Sequence, residues 1–148
     1  MPAQIFTISL CNWNEARIEA RQIREQVFVL EQGVPPALEM DDQDAACDHA
    51  IAYAEDGSAV GTGRLLPDGH IGRMAVLKEW RGKGAGALLL QSLVVQARER
   101  CHARVRLNAQ TYAAGFYRRY GFEASGPEFM EAGIPHVPMQ RDLATVPV

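Results

Sequence analysis

Cysteine is scarce: Cys11, Cys47 and Cys101 are the whole complement of this 148-residue chain. They are odd in number, far apart and without a CxxC spacing, which argues against a disulfide framework or a zinc site. A reducing compartment is therefore expected, and no metal. Basic charge is not in excess either, with 15 Lys and Arg against 18 Asp and Glu and a net charge of -3. Without a basic footprint, nucleic acid is not an expected partner. No stretch approaches the roughly 18 apolar residues of a membrane span. The start Met1-Pro2-Ala3-Gln4-Ile5-Phe6 lacks the basic-then-apolar order of a secretion signal. The expectation is a cytoplasmic protein without membrane attachment. Repeats, low-complexity segments and linkers are missing too, and 47% hydrophobic residues suffice for one core, so residues 1–148 are expected to form a single domain.

What is present alternates between two periodicities. Ile5 to Leu10 is a short apolar run ending at Asn12-Trp13-Asn14, a first strand followed by a helix cap. Ala16, Ala20, Ile23, Val27 and Leu30 then recur at helical spacing up to Gly33 and Pro35-Pro36, which predicts one amphipathic helix. Glu39-Met40-Asp41-Asp42-Gln43-Asp44 is too charged for a core element and is expected to be an exposed, solvated loop. Cys47 to Ala54, Ser58 to Leu66 and Ile71 to Leu77 are strand-like runs separated by Glu55-Asp56-Gly57 and Pro67-Asp68-Gly69, an antiparallel meander. A helix opens at Ala87 and reaches about Arg100; Val105, Leu107 and Ala109 mark another strand. A short helix from about Tyr112 to Tyr120 ends at Gly121, and Val137, Met139 and Arg141 predict a last strand at the sheet edge.

The segment Arg81-Gly82-Lys83-Gly84-Ala85-Gly86 sits between a strand and a helix. A glycine-rich turn there exposes unpaired backbone N–H groups at the positive end of the helix dipole, which suits phosphate. Three glycines permit positive φ and close approach, while Arg81 and Lys83 add charge that suits a pyrophosphate. Neither the P-loop spacing nor GxGxxG is present. The alternative reading of the hexapeptide alone is a flexible turn with solvated charges.

These residues resemble the GNAT family of N-acetyltransferases, whose signature of Arg or Gln, two residues, Gly, one residue, then Gly or Ala is filled by Arg81, Gly84 and Gly86. Ala113 to Phe122, with its Phe116-Tyr117 pair and Gly121-Phe122 end, resembles the family's second signature. The order of elements agrees over the whole chain. The resemblance implies a mixed α/β fold whose largely antiparallel central sheet is flanked by helices and splayed at the cofactor strand. It implies acetyl-CoA as co-substrate, bound by residues 81–86, by the backbone of Met74, Ala75 and Val76, and by Gln110 and Phe116. Many members have Asn where this chain has Gln110. Dimers are common in the family, so a homodimer is compatible with it.

Acetyl transfer needs a deprotonated amine, a stabilised oxyanion, a proton for the thiolate and a dry gap. The family resemblance gives Tyr117 the general-acid role. His136, in a Pro135-His136 pair like that of small glyphosate-acetylating members, is the expected base, with Glu31 or a water relay as alternatives. Arg24 and Arg73 correspond to arginines that hold an anionic acceptor in that group, though a solvated helix face explains Arg24 as well. The acidic run from Asp41 to Asp48 points instead to a cationic acceptor, so the sign of the acceptor stays open. The expected function is acetylation of a small amine. A non-catalytic acyl-CoA sensor or partner module and a protein lysine acetyltransferase are the alternatives.

Overall fold

The computed structural model describes residues 5–143. The stretch on which the missing secretion signal was read lies largely outside it, at residues 1–4. Strand β1 (Thr7–Cys11) leads into helix α1 (Trp13–Arg24), whose start is fixed by a capping box. The Asn12 side chain accepts from the Glu15 N–H at 3.0 Å, and Glu15 returns the bond to the Asn12 N–H at 3.3 Å. Ala16, Ala20 and Ile23 bury the apolar stripe of α1.

The single helix expected to run to Gly33 breaks its pitch at Glu25. Residues Glu25–Glu31 form a π-helix, and the widened turn rotates the stripe so that Val27 stays buried while Leu30 faces solvent. Pro35-Pro36, expected only as a stop, also starts a short helix α2 (Pro36–Glu39), since proline fits the first helical turn. The acidic loop is exposed as expected from Met40 to Gln43, but Glu39 and Asp44 at its two ends are buried.

The expected meander is present as β2 (Asp48–Tyr53), β3 (Ala59–Leu65) and β4 (Ile71–Val76), each within two residues of its predicted ends. With β1 they form an antiparallel sheet in the order β1-β2-β3-β4. Helix α3 (Ala85–Glu99) lies across this sheet on Leu89, Leu90, Leu93, Val94 and Ala97. It comes so close because β3 carries Gly61 and Gly63: a Cβ on either would stand 2.9 Å from a Leu89 or Leu93 methyl.

The chain continues through β5 (Arg104–Gln110), α4 (Ala114–Arg119), β6 (Glu123–Ala124), β7 (Phe129–Glu131) and β8 (Ile134–Asp142). The last strand is not at an edge. Strand β8 is central, flanked by β5 on one side and by β6 and β7 on the other. Pro138 is tolerated there because its carbonyl accepts from the Ser125 N–H at 2.8 Å, so its missing N–H faces that side and not the β5 ladder.

Strands β4 and β5 are parallel neighbours joined at one bridge, His70 to Arg106, where the Arg106 N–H donates to the Gly69 carbonyl at 3.1 Å. Beyond that bridge they belong to two different sheets and splay apart. Among the described residues no helix is long and apolar enough to cross a membrane.

Candidate active site

A cavity of about 610 Å³ occupies the splay between β4 and β5. Met74, Ala75, Val76, Arg81, Gln110, Tyr117 and His136 line it, so residues far apart in sequence meet there. Residues 82–86 lie outside the lining and continue from Arg81 into α3. Gly82 and Gly84 have φ of 73° and 99°, a left-handed turn that a side chain would strain. Gly84 caps α3 without any side-chain hydrogen bond, which leaves the first N–H groups of the helix to an outside anion. A Cβ added at either glycine would meet nothing within 4 Å. Open backbone donors at a positive helix end beside a long cleft fit a phosphate-bearing thioester such as acetyl-CoA.

Arg81 does more than add charge. Its Nε donates to the Val76 carbonyl at 2.9 Å, and its two terminal nitrogens reach Glu31 at 2.6 and 2.7 Å. The Arg81 hydrogen bond holds the Glu31 carboxyl below its ordinary range. Glu31 is thus a clamp on the loop, a correction to its expected place as the fallback base: a carboxylate spent on a bidentate guanidinium is a poor proton acceptor.

Strand β4 bulges where it enters the site. Arg73 and Met74 together stand opposite Gly63, and Arg73 takes a left-handed φ of 50°. The bulge re-aims the backbone of Met74 to Val76 at the cavity wall. Arg73 lines the cavity and donates to the Glu39 and Leu38 carbonyls. Burial and the neighbouring Arg64 lower its pKa.

Arg24 does not face an acceptor, nor is its helix face solvated; both expectations are corrected. It is 2% exposed and outside the cavity lining, and its guanidinium is paired with Glu39 and, at 2.8 Å, with Asp44. Arg64, which the sequence did not single out, pairs with Asp41 at 2.6 Å and Asp44 at 2.9 Å. Asp41 and Asp44 are therefore taken up by Arg24, Arg64 and Arg73, and Asp48 by Arg100 at 2.8 Å, so the acidic run does not offer a cationic acceptor a free cluster of carboxylates.

Tyr117 is half-buried on α4, with its ring set edge-on to Phe116 at 5.1 Å and Phe122 at 6.0 Å. Burial pushes its phenol up to about 12, so it keeps its proton at neutral pH. Phe116 packs behind it and toward Gly86, where its ring is 3.7 Å from an added Cβ; it does not line the cavity. Gln110 spends its amide on a reciprocal pair with Gln32, at 2.9 and 3.2 Å. His136 is buried, and its Nδ1 is 2.7 Å from the Ile134 carbonyl oxygen. A carbonyl only accepts, so in the neutral ring Nδ1 carries the hydrogen and Nε2 keeps its lone pair.

Sequence reasoning missed Gln32, Arg64 and Glu131 as cavity residues. None belongs to a local motif; each arrives through a long-range contact.

A family model described as the acetyltransferase (GNAT) domain matches residues 16–143. The uncharacterised protein YyaT of Bacillus subtilis is 39% identical over 132 residues, covering 85% of this chain and 88% of its own. The uncharacterised N-acetyltransferase YjcF of the same organism is 38% identical over 135 residues, covering 87% and 95%. Among solved structures, an acyl-CoA N-acyltransferase from Pseudomonas aeruginosa superposes with a TM-score of 0.76 at 31% identity, over 94% of this chain and 99% of that one.

Proposed function

The chain belongs to the GNAT acetyltransferase family, and from that premise we propose that it moves the acetyl group of acetyl-CoA to the amine of a small molecule by direct attack. The observation that carries this is the cavity between β4 and β5, which has uncapped helix donors beside it and a protonated phenol and a bare imidazole nitrogen in its lining. Bound acetyl-CoA supplies an activated carbonyl and a thiol leaving group.

The chain's own groups divide the remaining work. The N–H groups at the start of α3 bind the pyrophosphate, aided by Lys83, while the Glu31 clamp keeps Arg81 on the Val76 carbonyl. The bulged backbone of Met74 to Val76 holds the pantetheine arm and offers an N–H to the charge that develops on the carbonyl oxygen. Tyr117 holds a proton for the sulfur. His136 takes one from the amine at Nε2. Arg73 faces the acceptor side of the cavity and favours an acceptor that carries a carboxylate or phosphate besides its amine.

Thiol release measured with acetyl-CoA and a panel of primary amines and lysine peptides tests the proposal. Turnover with free amines, strongest for those bearing a carboxylate or phosphate, is expected. Turnover with peptides alone would indicate a protein lysine acetyltransferase, and tight binding with no thiol release would indicate a sensor; either result overturns the proposal.

A further inference from the structure

Strand β7 is three residues long, and its contribution to the site is to surround one side chain. The β7–β8 hairpin turns at Ala132 and Gly133, both left-handed with φ of 51° and 75°, as a two-residue turn of this hand requires. That turn fixes the register: Phe129 stands opposite His136, and Glu131 opposite Ile134. The Phe129 ring stacks on the imidazole at 5.9 Å and 27°. Glu131, in the cavity lining, places Oε2 at 3.6 Å from His136 Nε2. The other ring nitrogen is already committed to the Ile134 carbonyl. The carboxylate thus faces the one nitrogen of His136 able to accept a proton.

We propose that Glu131 is the positioning partner of His136. Resting on the acetyl-transfer function proposed above, the step balances as follows. A proton leaves the acceptor ammonium or amine for His136 Nε2, the imidazole becomes an imidazolium, and its new N–H donates toward Glu131. As it gives up that proton the nitrogen forms its bond to the acetyl carbon, the carbon–sulfur bond breaks, and the leaving thiolate takes the proton that Tyr117 holds. The ring is buried and the carboxylate about half exposed, so the carboxylate supplies the nearby negative charge that the buried imidazolium needs. At 3.6 Å it stands just beyond a direct hydrogen bond, leaving the Nε2 lone pair open to the amine.

A double-mutant cycle tests this with Glu131→Gln, His136→Ala and the combination, each assayed for kcat/KM of a turned-over amine and for acetyl-CoA affinity. Glu131→Gln is expected to lower kcat/KM about tenfold, a usual coupling for contacting groups, with cofactor affinity unchanged. The same change in the His136→Ala background is expected to cost nothing further, and Glu131→Asp to recover part of the loss. Full activity of Glu131→Gln, or equal losses in both backgrounds, would overturn the assignment while leaving acetyl transfer intact. A wild-type chain that turns over no amine would overturn acetyl transfer itself and the assignment with it.

Discussion

Tyr117 holds its proton at neutral pH as any phenol does, and burial pushes its titration further up, to about 12, in keeping with the acid role proposed for it. Removing its hydroxyl in Tyr117→Phe leaves the ring packing against Phe116 and Phe122 in place. Turnover is expected to fall about 100-fold or more, the scale of a lost general acid, with acetyl-CoA affinity retained; stopped-flow or steady-state thiol release checks this, and undiminished kcat would remove the acid role. Tyr117 and the glycines of residues 82–86 stand out in the sequence because the motifs that carry them are local. Arg24 does not. Its meaning depends on Glu39 and Asp44, 15 and 20 residues downstream, and on the folding back of a segment that reads as a solvated loop.

The segment from α2 to β2 is an element held by charge as well as by apolar packing. Arg24, Arg64 and Arg73 face Glu39, Asp41 and Asp44. Hydrogen bonding to Arg64 holds the Asp41 carboxyl far below its usual range. Burial pushes Asp44 up, but Arg24 and Arg64 outweigh it, and the net shift is downward. Carboxyls depressed by folding stabilise above the unfolded carboxylate pKa of about 4 and lose that contribution as pH falls through their folded values. Urea denaturation should therefore show stability falling below about pH 4, and a flat profile through that range would contradict the cluster's role. Arg64→Met leaves Asp44 to Arg24 and Asp41 to Arg73 alone, and should cost about 1–3 kcal/mol at neutral pH with a shallower loss on acidification. At this scale the strands and α3 were legible from periodicity, which survives in any half-buried element. The π-helix was not, because the apolar spacing of Val27 and Leu30 is the same whether or not a turn widens.

At the scale of the whole molecule the described residues form two sheets that touch at one bridge, with the site in the space they leave. Alternation and turn residues indicate strands but not which of them part company, so the splay came from family resemblance and not from residue pattern. The inner position of β8 was illegible for a related reason: two prolines argue for an edge, and only the side toward which Pro138 turns its nitrogen makes a central place acceptable. The function proposed above puts the cofactor's phosphates at the start of α3 and its arm in the gap. Gly86 tests this better than Gly84, because Gly84 has a positive φ that any side chain would strain, whereas Gly86 lies in regular helix with only ordinary contacts for a Cβ. A glutamate there suits the positive helix end and spares the fold, yet it occupies the anion site with like charge. The decisive measurement is calorimetric titration of acetyl-CoA into the wild-type chain and Gly86→Glu, with thermal unfolding recorded for both. Saturable binding by the wild type and none by a Gly86→Glu chain of unchanged Tm is predicted; equal affinity in the two chains would contradict this placement of the cofactor.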